Sequence, residues 1–397
     1  MLTDPIRYPT PMAKARTQTV KLEERKPVGP SGPACVDLDR VIGQDRAVSQ
    51  LRSAIESGRL HHAWIFAGPP GVGKRTTAEA FATLLLDPDA APDLTGRLTV
   101  DPEGHTARLM RARTHPDYHL ITKELAAYSE DDSTRRSKQR NIPLAVLQEY
   151  LIEPAQLAGS GRSGAIASKV FVVDEAELMR SGSNEGQNAM LKTLEEPPPG
   201  TIIILVTARE EALLPTIRSR CQRVRFDALS DADMQAWLDR TEGEDRLEVR
   251  PGSRPWLLEF AAGSPGRARI AIETGLLDWE SELRPFLSAI ERGRYDPDFS
   301  ATLSKLVGSW AEDWVKARPQ ASKEAANHAA AGHAFHLLAQ RMRRLLADAS
   351  ETGDAEAIER WSDAIEAIAQ AEREINANVQ MALALEHMSA RFASAVD

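Results

Sequence analysis

The sequence predicts a three-layer α/β domain built on a parallel sheet and followed by an all-helical remainder, and three observations predict it. From Val41 to about Phe226, short β-rich runs alternate with helical stretches, the pattern of strands joined by crossover helices. A glycine-rich loop, Gly68 to Thr77, stands between an apolar run, Ala63-Trp64-Ile65-Phe66-Ala67, and a helix-like run, Thr77 to Leu86. Beyond Phe226 the apolar residues recur at three- and four-residue spacings, which place them on single helical faces.

Taken in order, residues 1 to about 37 carry six prolines among scattered charges with no sustained periodicity. They read as a poorly ordered extension or, alternatively, as a tethering arm. Residues 38–227 form the α/β domain, with candidate strands Ala63 to Ala67, Tyr118 to Ile121, Val170 to Val173, Ile202 to Thr207 and Gln222 to Phe226. Three of these are nearly continuous Val, Ile, Leu or Phe, as strands covered on both faces require. A helix carrying Asn188, Ala189, Leu191 and Leu194 stops before Pro197-Pro198-Pro199, which cannot continue it. Leu86 to Asp117 is rich in Asp, Pro and Gly. Glu130-Asp131-Asp132 with Arg135, Arg136, Lys138 and Arg140 reads as a solvated surface loop, with DNA-phosphate contact as the alternative.

Residues 228–275 read as a small helical domain, entered by a hinge at Ala228-Leu229-Ser230 into Met234, Trp237 and Leu238, with a second small helical unit that ends near Gly263-Ser264-Pro265-Gly266-Arg267. Residues 276–397 read as an all-α domain, with faces such as Leu303, Leu306, Trp310 and Trp314, or Ile358, Trp361, Ile365 and Ile368. Its apolar faces are either internal core or partly reserved for neighbouring subunits.

The chain of 397 residues has a formal net charge of −9, which argues against binding nucleic acid by bulk positive charge. No apolar run approaches the roughly 20 residues needed to cross a bilayer. The N-terminus lacks a secretory pattern, so the expected location is cytoplasmic. Cys35 and Cys221 are far apart and fit no metal spacing.

The chemistry gathers at the loop. In Gly68-Pro69-Pro70-Gly71-Val72-Gly73-Lys74 the glycines let backbone N–H groups face phosphate oxygens, and the lysine reaches the β- and γ-phosphates. The next position ordinarily supplies a hydroxyl for Mg²⁺. Here it is Arg75, which has donors and no acceptor lone pair, and Thr76 lies about 100° further round the helix. Asp174 and Glu175, at the end of the Val170 to Val173 run, suit Mg²⁺ coordination and general-base activation of water respectively. An acidic helix N-terminus is the structural alternative. Thr207 is placed to sense a γ-phosphate. Arg220 is placed either to reach a neighbouring subunit's nucleotide as an arginine finger or to form a surface ion pair.

Val41-Ile42-Gly43-Gln44, the loop from Gly68 to Lys74, Asp174 to Glu177, Leu194-Glu195-Glu196-Pro197 and Ser219-Arg220-Cys221 together resemble the AAA+ subunits of DNA clamp loaders. Within that group the chain most resembles the bacterial DNA polymerase III delta-prime subunits; His115-Pro116-Asp117 and Asn376-Ala377-Asn378 fit as well. The resemblance implies an AAA+ P-loop module, a small helical lid and a helical collar that assembles subunits. It also implies a stator role in loading the sliding clamp onto primed DNA, with Arg220 completing the ATP site of an adjacent motor subunit. The implied partners are the other loader subunits, the clamp and, through the complex, DNA. ATP and magnesium are implied as weakly held by this chain. Relatives often carry a four-cysteine zinc module after the loop, and with no cysteine between Cys35 and Cys221 no zinc is expected. The lid's phosphate-sensing arginine has no clean match, Arg267 lying one position off. Two other readings stand beside this one: a gamma/tau-like motor subunit that hydrolyses ATP itself, and an interaction scaffold whose phosphate loop is a relic.

Overall fold

The structure, a computed structural model, describes residues 35–136, 141–157, 159, 164–179, 184–244, 247–317, 322–377 and 379–394. The extension before residue 35, Lys138, Arg140 and Asn378 lie outside them. The strands are β1 (Ala63–Ala67), β2 (Ala91–Pro92), β3 (Leu98–Thr99), β4 (Tyr118–Ile121), β5 (Lys169–Val173), β6 (Thr201–Thr207) and β7 (Gln222–Arg225). In the α/β part the helices are α1 (Asp45–Glu56), α2 (Lys74–Leu86), α3 (His105–Arg111), α4 (Asp132–Arg135), α5 (Leu144–Leu147), α6 (Glu153–Gln156), α7 (Glu185–Glu195) and α8 (Pro215–Arg218). The helical remainder holds α9 (Asp231–Glu244), α10 (Arg254–Ala261), α11 (Pro265–Thr274), α12 (Leu276–Glu291), α13 (Asp298–Ala317), α14 (Lys323–Thr352), α15 (Ala355–Asn376) and α16 (Met381–Ser394).

Five strands form one sheet in the order β4-β5-β6-β1-β7, and every pairing in it is parallel. The strand that feeds the glycine loop therefore lies between β6 and β7, with Ala67 opposite both Thr207 and Arg225. All five parallel strands end at the same edge, so the loop, Asp174 and Thr207 converge there although they are far apart in sequence.

The period of two along a strand divides the core. Trp64, Phe66, Val170, Val172, Ile204 and Val224 face one side, and Ile65, Phe171, Val173, Ile203 and Leu205 face the other. The second face is closed by α5 and α7 through Val146, Leu147, Met190 and Leu194. The first is covered by α2, whose Ala78, Phe81, Leu84 and Leu85 are buried, and its core runs on without interruption through Met234, Leu257 and Phe260 to Leu303, Trp310, Leu338 and Phe392. An α/β module on a five-stranded parallel sheet, a small helical unit of α9 to α11 and an all-α bundle of α12 to α16 are thus joined by one apolar core.

The stretch from Leu86 to Asp117 holds the antiparallel β2–β3 hairpin and α3. Next to Gly263 one helix ends and another begins: α10 stops at Ala261, and α11 starts at Pro265, capped by the Ser264 hydroxyl, which accepts from the Arg267 N–H at 3.2 Å. The helix after the loop begins at Lys74 rather than Thr77.

Where the small unit meets the bundle, His336 Nε2 donates to the Phe260 carbonyl at 2.7 Å. The ring of His333 packs edge-on to Trp310. Burial, with Arg267 alongside, pushes both imidazoles down to about 4, so they are neutral at ordinary pH.

Candidate functional site

The glycine loop is a strand-to-helix turn, and its geometry follows from Gly73, which takes the left-handed conformation (φ 99°) that a side chain would resist. Its carbonyl then accepts from both the N–H and the hydroxyl of Thr77, each at 2.9 Å, starting α2. This points the first free N–H groups of α2 at the sheet edge, the arrangement that receives a phosphate.

Several of the loop's carbonyls are already taken by the protein itself. Lys74 Nζ donates to Gly68 (2.7 Å) and Pro69 (2.5 Å), the Ser264 hydroxyl donates to Pro70 (3.0 Å), the Gly266 N–H donates to Gly71 (2.8 Å), and Gln44 Nε2 donates to Val72 (3.1 Å). Two of these donors come from the start of α11. The approach is close enough that a Cβ on Gly266 would lie 2.8 Å from the Gly71 Cα. Lys74 is buried, and burial pulls its ammonium down to about 8 against the opposing pull of Glu177 and Asp174.

Arg75 reaches across from α2 to the end of β5. Its guanidinium makes a 2.7 Å ion pair with Asp174 Oδ2 and lies 3.7 Å from Glu79 Oε1, and Glu79 in turn faces Arg113 at 3.3 Å. Glu79 is buried, and burial raises its carboxyl above the usual range although Arg113 and Arg75 oppose it. Two acids and two arginines therefore form one neutral cluster behind the loop. Tyr118 packs close to this cluster, with its hydroxyl buried and without a hydrogen-bond partner.

The donor set does not suit a magnesium ion. The carboxylate best placed to ligate it, Asp174, is held by a cation, and the position after the lysine offers no oxygen. A phosphate is a different matter, since the space next to Gly73 is open and Lys74 needs only to turn away from two carbonyls. Among the described residues, no group of three or more His, Cys, Asp and Glu could hold a metal.

The other singled-out residues lie as follows. Pro69, Pro70, Gly71 and Thr76 are exposed, whereas Val72 is buried. Glu175, in the left-handed region at φ 50°, turns outward into a 2.7 Å ion pair with Lys123. Thr207 is buried; its hydroxyl donates to Glu177 Oε2 at 2.7 Å and accepts from the Arg209 N–H at 3.0 Å. Lys74, Asp174 and Thr207 are thus gathered at one edge of the sheet. Arg220 lies apart, after α8 and before β7. Its NH2 group pairs with Glu195 Oε1 at 2.6 Å, and its NH1 group donates to the Thr216 carbonyl at 2.9 Å. Its neighbour Cys221 packs on the second face of the core, where burial pushes the thiol up to about 12.

Sequence reasoning missed Glu79, Arg113, Lys123 and the donors of α11 as parts of this site. Glu195 and Arg220 stand in separate sequence motifs with no spacing that joins them. The one signal available was a cation standing where a hydroxyl belongs, which calls for an acid nearby.

Residues 43–230 match the family described as DNA polymerase III, delta subunit. The chain is 32% identical over 205 residues to the DNA polymerase III subunit delta′ of Pseudomonas aeruginosa, covering 51% of this chain and 53% of that protein. It is 31% identical over 228 residues to the delta′ subunit of Escherichia coli, covering 55% and 57%. It is 30% identical over 227 residues to the gamma/tau subunit of Mycobacterium bovis, covering 57% and 34%. The matched part therefore spans about a third to just over half of these relatives. Among solved structures, a gamma subunit-related protein from Thermotoga maritima aligns at 16% identity over 88% of this chain and 100% of its own, with a TM-score of 0.38. The Thermotoga maritima RuvB branch-migration motor aligns at 16% identity over 68% and 72%, with a TM-score of 0.37.

Proposed function

We propose, from the premise that the chain belongs through residues 43–230 to the DNA polymerase III clamp-loader family, that it is the delta-prime-like stator of such a complex. In this reading it works in the cytoplasm with the other loader subunits to place the sliding clamp on primed DNA. The domains are the α/β module over 38–227, a lid over 228–275 and a collar over 276–397 that joins the neighbouring subunits. The chain's own nucleotide site is silent or weak, and Arg220 acts in trans on the ATP of an adjacent motor subunit.

The observation that carries this reading is the 2.7 Å pair of Arg75 with Asp174. A motor subunit needs a carboxylate at the end of that strand for Mg²⁺, and here a guanidinium occupies it. Glu175, the candidate general base, is engaged by Lys123, and Thr207, the candidate γ-phosphate sensor, by Glu177. The docking of α11 on Gly71 adds a second obstacle, because a lid that clasps nucleotide has to stand off the loop.

The motor reading keeps one observation in its favour: Gly68, Gly71, Gly73 and Lys74 are all present, and the bonds that hold the Lys74 ammonium go to two loop carbonyls, which a phosphate could replace. Titration with a fluorescent ATP analogue distinguishes the two. The stator reading expects weak binding that is indifferent to Mg²⁺ and is abolished by Lys74→Ala. Saturable binding tightened tenfold or more by Mg²⁺ would establish the motor reading instead.

A further inference from the structure

Glu195 is the last residue of α7, a position where the helix dipole disfavours a negative charge. It is nonetheless half-exposed and paired at 2.6 Å with Arg220. The NH1 group of the same guanidinium donates to the Thr216 carbonyl at 2.9 Å and lies 3.5 Å from the Ser219 hydroxyl. Both terminal nitrogens thus face their own chain, and the guanidinium presents no free fork outward. A planar guanidinium recognises a phosphate by two parallel N–H groups, so an arginine held in this way has to let go before it can act on a neighbour.

We propose that Glu195 is a displaceable counter-ion for Arg220, a latch that holds the arginine on its own subunit until a triphosphate on the adjacent subunit exchanges for it. The inference rests on the reading of Arg220 as a trans-acting residue. The pair is suited to exchange because it is exposed: side-chain exposures of 36% for Arg220 and 49% for Glu195 leave it in a high dielectric, where such pairs are weak. A triphosphate carries more charge than one carboxylate and accepts in bidentate fashion. The prolines that follow, Pro197 to Pro199, end α7 immediately after Glu195 and so fix the carboxylate at the helix terminus rather than on a swinging loop.

Only the unlatched fraction of Arg220 can engage nucleotide, so the latch raises the apparent KM for ATP at the completed site by the inverse of that fraction. For an exposed pair the factor is roughly two to five. The test uses the reconstituted complex, with KM and kcat for ATP measured for this chain as wild type, Glu195→Gln, Arg220→Ala and the double variant. The expected result is a two- to fivefold fall in KM for Glu195→Gln with kcat within about twofold, and a double variant indistinguishable from Arg220→Ala. An unchanged KM in Glu195→Gln, a fall in kcat, or a double variant that differs from Arg220→Ala would each overturn the latch. If Arg220→Ala itself leaves turnover unchanged, the trans-acting reading has failed; if it lowers turnover while Glu195→Gln does nothing, only the latch has failed.

Discussion

Two arginines in this molecule make ion pairs of nearly equal length, Arg75 with Asp174 at 2.7 Å and Arg220 with Glu195 at 2.6 Å, in very different surroundings. Asp174 is only 19% exposed, and Arg75 has a second carboxylate, the buried Glu79, within 3.7 Å. Glu195 is 49% exposed and is the only carboxylate paired with Arg220 among the described residues. Distance alone would call these interactions equivalent. The two arginines are similarly exposed, at 31% and 36%, so the difference lies in the acids: the half-buried Asp174 and the buried Glu79 hold Arg75 from two sides, whereas the one exposed carboxylate on Arg220 is readily replaced by water or another ion.

The largest effect expected from this contrast belongs to the exposed member. Arg220→Ala should leave the chain folded, since the residue lies outside both cores, and, on the proposed trans-acting role, lower turnover at the adjacent ATP site by about 10³-fold. Steady-state ATPase of the reconstituted complex is the measurement, and undiminished turnover would remove the distinction between the two arginines.

A smaller effect is expected from forcing the inner site open. Gly266→Ala puts a Cβ 2.8 Å from the Gly71 Cα, so the start of α11 has to withdraw from the phosphate loop. The expected loss is about 1 to 3 kcal/mol of stability by urea denaturation. No loss at all would mean that α11 does not bear on the loop.

Smallest is Arg75→Thr. It frees Asp174 and restores a hydroxyl next to Lys74, at a cost of about 1 to 2 kcal/mol for the carboxylates left without their cation. In exchange, binding of a fluorescent ATP analogue should become Mg²⁺-dependent. Equal affinities with and without Mg²⁺ in this variant would show that Arg75 is not what keeps the metal out.

How far this contrast was legible beforehand differs between its two halves. The strand row was readable because Ala63 to Ala67 and Ile202 to Val206 are continuous apolar runs, and a buried parallel strand has little choice but to look like one. The hairpin of β2 and β3 was not, with two residues per strand, and α3 spans only seven residues, too few for a period to declare itself. Arg75 was recognisable as a misfit and Asp174 as an acid at the end of a strand. Their pairing was not, because 99 positions separate them and only the sheet order brings α2 beside β5. Glu195 shows the same limit from the other side. Its motif and that of Arg220 were both visible, but α7 and the segment after α8 meet through tertiary packing that no spacing encodes.

The unbroken core that runs from Val170 and Phe66 through Phe260 to Phe392 has a mechanical consequence. Along this path the α/β module, the small helical unit and the bundle share buried apolar residues, and the Gly266 N–H is bonded to the loop besides, so turning one part on another costs apolar contact. The exposed side-chain pair of Arg220 and Glu195 carries no such cost and yields more readily.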